Sequence, residues 1–162
     1  MDANTLYDED FFAWTRQQAR ALRAAARSRT NQPLDWKNLA GEIEDLGKSD
    51  RRELRSQIRR IIHHLCKLEQ SPALDPRSDW QVSIRDARAE MRGVLADSPS
   101  LRRQVPRLIA EETPDAIELA ILDLRKFGEF NSGALGAVGD TRYTPAQILG
   151  DWFPGAPALS PE

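Results

Sequence analysis

The sequence predicts an all-α protein: an up-and-down helical bundle built around one long central helix. Three observations predict it. Between Asp35 and Glu69, apolar residues fall at Leu39, Ile43 and Leu46, then at Leu54, Ile58, Ile61, Leu65 and Leu68. Gaps of three and four make one stripe along a helix. Further stripes of the same period follow cap-like residues elsewhere in the chain. No alternating apolar run is long enough for a strand.

At about 100° per residue, both groups of the central stripe lie within roughly 60° of the direction of Ile61. The stripe therefore keeps its phase across Gly47-Lys48-Ser49. One helix of about 30 residues is expected, bent near Gly47 and about 50 Å long at ~1.5 Å per residue. A mid-helix glycine costs about 1 kcal/mol relative to alanine, which makes Gly47 the weak point. Ser49 offers the alternative of a second helix start.

The other elements are read in chain order. Asp8 reads as an N-cap, with Glu9 and Asp10 in the first turn. Phe11, Thr15, Ala19, Leu22 and Ala26 then mark an amphipathic helix. Arg16, Arg20, Arg23 and Arg27 line another of its faces, the pattern of a solvated surface. Arg29 to Leu34 reads as a linker stopped by Pro33, after which Asp35 caps the long helix. Ser71 to Asp79 is a loop, because Pro72 and Pro76 forbid a helix interior. Ser78 or Asp79 caps the next helix, whose stripe is Trp80, Ile84, Ala87, Met91 and Val94.

Ser98-Pro99 is a cap followed by proline at the first helical position. Leu101, Val105, Leu108 and Ile109 follow, with Pro106 expected to kink or shorten that helix. Thr113-Pro114 repeats the cap signal and opens another helix, carrying Ile117, Ala120, Ile121, Leu124 and Phe127 to a C-cap at Gly128. Glu129 to Arg142 is a glycine-rich loop without the ending of a phosphate cradle. Thr144-Pro145 starts a short last helix. A single helical domain is expected over 1–154, with a flexible tail over 155–162.

The whole chain of 162 residues has a formal net charge of -2, so no global pull toward nucleic acid or membrane is expected. The charge is uneven, however. Lys48 to Arg107 holds 14 basic and 8 acidic residues, a balance of +6; Leu108 to Glu162 holds 3 basic and 9 acidic, a balance of -6. The two segments are expected to face each other in the fold. Cys66 is the only cysteine, so no internal disulfide forms. Met1 to Leu6 lacks the basic start and apolar run of a signal peptide, and no stretch reaches the ~18 apolar residues of a membrane span. A cytoplasmic location and no membrane partner are expected.

Several groups of residues together resemble one bacterial family. They are D-x-x-N-L-x-x-E-I-E-D-L-G-K-S from Asp35 to Ser49, H-L-x-K-L from His64 to Leu68, Ser78 with Trp80, and Ser98 to Leu101. The opening Leu6 to Phe11 and the closing Tyr143-Thr144, Ile148-Leu149 and Phe153-Pro154 fit as well. The set resembles the domain-of-unknown-function family numbered 29. The resemblance implies an all-helical protein, common in cyanobacteria and proteobacteria, and implies no activity. Cys66 departs from the family's usual apolar residue, and Gly41 stands where an acid is common.

Candidate chemistry lies beside the central stripe. His64 with Arg59 has the spacing of a ribonuclease pair, histidine as general base and arginine for the phosphorane charge. Arg51, Arg52, Arg55 and Arg59, with Arg85, Arg88 and Arg92, form rows suited to phosphates, although no aromatic row accompanies them. Glu42, Asp45 and His64 are the metal candidates, but they would require the helix to fold back on itself. No cofactor motif is present. The leading expectation is a non-enzymatic interaction module that pairs with itself or another protein, and the alternative is a nucleic-acid-binding or ribonuclease-like bundle. Trp14, Trp36, Trp80 and Trp152 are the large anchors.

Overall fold

The computed structural model describes residues 3–28, 31–128 and 142–155. All regular structure among the described residues is helical. The elements are α1 (Ala3–Glu9), α2 (Phe11–Arg27), α3 (Trp36–Gln70), α4 (Arg77–Asp97), a 3-10 helix η1 (Pro99–Gln104), α5 (Val105–Lys126) and α6 (Pro145–Leu149). The described residues form two compact units. One takes the chain up to Leu54 together with Arg92–Gln104; the other takes Arg55–Met91 and the chain from Val105 onward. Both α3 and α4 contribute to each unit.

The central helix is continuous through Gly47, as its unbroken phase predicts. Asp35 accepts the backbone N–H of Asn38 at 3.1 Å, the expected cap. Its second half buries the predicted stripe: Leu54, Ile58, Ile61, Leu65 and Leu68 are fully enclosed. The first half corrects the expectation. Leu39 and Leu46 are 40% and 50% exposed, while Ala40 and Gly47 are buried. The buried face is rotated by about 80° from the line of Leu39, Ile43 and Leu46 toward the small residues. The reason is α2, whose Phe12 and Thr15 lie so close to Gly47 that a β-carbon there would overlap Thr15 Oγ1. Glycine permits that approach, and an apolar side chain on the predicted line does not.

In the first unit, Asp10 rather than Asp8 caps α2, accepting the N–H of Ala13 at 2.9 Å, and α1 precedes it. Both aspartates are competent caps. Asp10 prevails because it also accepts the N–H and hydroxyl of Ser100 at 2.7 and 2.9 Å. Phe12, Thr15 and Ala19 are the buried residues of α2, so Phe12 takes the place expected of Phe11. Ser98 Oγ accepts the N–H of Phe12 and donates to Asp50.

In the second unit, α4 packs antiparallel to the end of α3, through Arg60 with Ser83 and Lys67 with Trp80. It begins at Arg77, so Ser78 and Asp79 lie within its first turn. Helix α5 runs in the direction of α3. It passes straight through Thr113-Pro114, where a new helix was expected. Thr113 hydroxyl donates to the Ile109 carbonyl at 2.6 Å and keeps that turn closed. The Ala110 carbonyl, which Pro114 cannot serve, belongs to an exposed residue. Pro106 sits in the first turn of α5, where proline is tolerated. Phe127, placed in the stripe, is instead 63% exposed. Gly128 ends the element at φ 66, the left-handed cap its residue type predicts. Thr144 and Gln147 form a capping box for α6. The glycine-rich segment 129–141 and the tail 156–162 lie outside the described residues.

Candidate functional site

The polar row of α3 in the second unit meets α5. Glu112 is 1% exposed on the apolar stripe of α5. Each of its oxygens is held by one arginine: Arg55 Nε donates to Oε1 and Arg59 Nε to Oε2, both at 2.7 Å. Arg55 and Arg59 are four residues apart, so one helix face aims both at the same carboxylate. The Glu112 pairing holds Arg55 above its usual range. Further along the two helices, Asp123 Oδ2 accepts from His63 Nε2 at 2.9 Å and from Lys67 Nζ at 3.4 Å. Lys67 is 7% exposed and lies 4.6 Å from the Trp80 ring centre. Burial pushes Asp123 upward, but Lys67 and His63 outweigh it and its carboxyl stays below the usual range.

Burial lowers His63, outweighing the attraction of Asp123. The ring is therefore neutral at pH 7, and Nε2 donates a hydrogen bond rather than forming an ion pair. His64 stacks on His63 with ring centres 4.9 Å apart. Burial first, then His63, Lys67 and Arg60, lower His64 to about 4. Its enclosed Nδ1 has no hydrogen-bond partner among the described residues. Arg59 faces Glu112, so the structure does not bring Arg59 and His64 together as an acid–base pair. The histidine with a carboxylate partner is His63.

The remaining arginines of the expected rows are largely engaged. Arg51 donates to Gln104 at 2.8 Å. Arg88 is 2% exposed and donates to the carbonyls of Ile148, Gln147 and Trp152 at 3.0, 2.7 and 2.7 Å. Arg85 and Arg88 both lie over the Phe153 ring. Arg52 and Arg92 are exposed. Glu42, Asp45 and His64 are not gathered either: along a helix, Glu42 and His64 are about 33 Å apart at ~1.5 Å per residue. Asp45 pairs with Lys48 at 2.9 Å. Among the described residues no group of three metal-ligating side chains is arranged to hold an ion.

Sequence reasoning missed Glu112, Lys67 and Asp123. Glu112 carried a signal: an acid in register with Leu108, Ile109, Thr113 and Ala116 on a buried stripe requires cations opposite it. Asp123 carried none, since it follows the ordinary pattern of an exposed helix face.

In the first unit, the start of α3 presents an apolar face. Leu39 and Leu46 are exposed, with Ile43 and Trp36 half-buried between and beside them. Their spacing of three, four and three is that of a heptad seam.

The model of the family described as domain of unknown function DUF29 matches residues 6–152. The chain belongs to that family. The residues that carried the resemblance are spread over α1 to α6 of this DUF29 domain. Its fold is similar to the crystal structure of an alpha-helical protein of unknown function from Rhodospirillum rubrum, with a TM-score of 0.71 and 24% identity over 88% of each chain. No curated protein matches the DUF29 chain.

Proposed function

We propose that this DUF29 domain is a non-enzymatic interaction module that pairs with a second copy of itself through the start of α3. The supporting observation is the exposed heptad seam of Leu39, Ile43 and Leu46. Isoleucine at one seam position with leucine at the other favours two-stranded pairing. The helix is already formed, so pairing does not have to order it. Exposed leucines also occur on α5, at Leu119 and Leu122, but Lys126 ends that seam after one step.

The expected affinity is low. Covering a half-exposed leucine contributes about 1 kcal/mol, so two copies gain about 5 kcal/mol from four leucines and two isoleucines. Association entropy offsets much of this. Pairing is therefore concentration-dependent, and a two-fold dimer is its closed form. Equilibrium sedimentation from micromolar to near-millimolar protein tests it. A dimer that Leu46→Lys abolishes supports the reading, and a monomer throughout removes it. The nucleic-acid reading ranks lower because Arg51, Arg55, Arg59 and Arg88 already serve internal acceptors.

A further inference from the structure

A cleft of about 510 Å³ opens in the first unit between α2 and η1. Arg16 and Arg20 enter it from one face of α2, four residues apart, and Arg103 enters from η1. Gln17 and Gln104 add amides, and Phe12 with Ala13 forms an apolar floor. No Asp or Glu lines it.

Several cations elsewhere are matched by carboxylates: Arg23 with Glu44, Lys48 with Asp45, Arg55 and Arg59 with Glu112, Lys67 with Asp123, Arg107 with Glu111. Arg16, Arg20 and Arg103 have no carboxylate partner among the described residues. Arg16 rests over the Phe12 ring, 5.7 Å from its centre. Asp10, which is bonded to the cleft residue Ser100, is occupied by N–H and O–H donors. Gln104 gives its carbonyl oxygen to Arg51, which leaves its NH2 as the donor toward the cleft. Arg16, Arg20, Arg103, Gln17 and Gln104 can therefore present donors to a ligand, and three of them carry positive charge, whereas the Ser100 hydroxyl hydrogen is given to Asp10.

We propose that this cleft binds a small phosphorylated molecule through its phosphate or pyrophosphate group. Three guanidinium forks match phosphate oxygens, which accept paired N–H donors. The volume falls in the range of small-ligand sites, roughly 300–1,000 Å³. The arginines converge on one concavity instead of tracking along a helix, which favours a compact anion over a nucleic-acid backbone. Phe12 and Ala13 supply the surface against which the body of the ligand lies.

Inorganic pyrophosphate is the probe, titrated calorimetrically into the full chain at about 0.15 M salt, where exposed charges are screened beyond ~8 Å. Saturable binding to one site is expected. Arg20→Ala and Arg103→Ala should each weaken it about tenfold or more, the effect of losing one charge-assisted contact. Arg103→Lys should recover part of the loss, and Arg27→Ala, at the exposed end of α2, should change nothing. These arginines are exposed, so unchanged far-ultraviolet dichroism of each variant establishes that it is folded. Absence of saturation at millimolar pyrophosphate overturns the proposal. So does equal affinity in the Arg20→Ala, Arg103→Ala double variant, or binding of single-stranded nucleic acid without binding of pyrophosphate.

Discussion

Gly47 on α3 and Thr15 on α2 approach so closely that no β-carbon fits between them. Thr15 cannot simply turn away, because its hydroxyl donates to the Phe12 carbonyl at 2.8 Å and the residue is fully buried. Alanine at 47 would gain about 1 kcal/mol of helix propensity and lose more to overlap. Gly47→Ala is therefore expected to lower stability by about 1–2 kcal/mol, measured by urea unfolding. A more stable variant would refute the packing described.

The rotated seam of α3 makes a second prediction. Leu54→Ala empties a fully enclosed site and should cost about 3 kcal/mol. Leu46→Ala, on the exposed line, should change monomer stability by less than about 0.5 kcal/mol. Equal costs would restore the unrotated face.

The carboxylate between Arg55 and Arg59 gives a third. Glu112→Gln removes the charge and keeps the volume. Both guanidiniums remain near 40% exposed, so water compensates part of the loss. A destabilisation of about 2 kcal/mol is expected. Arg59→Gln should cost less, since Arg55 still holds the carboxylate. Thermal unfolding of the two variants orders them.

The stacked histidines give a fourth, in pH. The folded pKa of His64, about 4, is below its unfolded value of 6.5. The unfolded chain then binds more protons between these values, so stability rises with pH across that window. It is lost as pH falls from 6.5 toward 4 and levels off below. His63 shifts in the same direction. Asp123 is lowered and adds to the loss at more acidic pH, whereas burial raises Glu69, which opposes it. After discounting for its partial contact with water, His64 contributes about 2 kcal/mol. Denaturant midpoints at pH 7 and pH 5 should converge in His64→Gln relative to wild type. An unchanged slope would place the titration elsewhere.

Arg88 gives a fifth. It is the donor for three carbonyls around the end of α6. Arg88→Met keeps much of the apolar stem but leaves those acceptors unserved. Hydrogen exchange should accelerate selectively over residues 145–153, with a global loss of about 2 kcal/mol. Uniform acceleration would contradict a local clamp.

The helices and most of their ends were legible because period and caps are local properties. Asp35, Gly128 and the Thr144–Gln147 box sit where residue type places them. The misreadings share one cause: a tertiary partner overrides a local signal. Ser100 selects Asp10 over Asp8. Thr15 and Phe12 turn α3 onto Gly47. The bond from Thr113 to Ile109 holds α5 intact where Thr113-Pro114 announces a start. The candidate site was less legible, since Glu112 and Asp123 lie more than 50 residues from the side chains they hold. The expected attraction between the basic middle and the acidic final third is visible in those pairs, although it uses the very arginines singled out for phosphate.

Asp10 and Phe12 are bonded to Ser100 and Ser98, 90 and 86 positions downstream. During synthesis the opening of α2 emerges long before either serine exists. At roughly 5–20 residues per second, the ribosome leaves that end without its anchor for about 5–20 seconds. This early-made helix is thus among the last to be fastened, and a nascent chain halted before Ser98 holds α2 by nothing but its own turns and what α1 and α3 offer it.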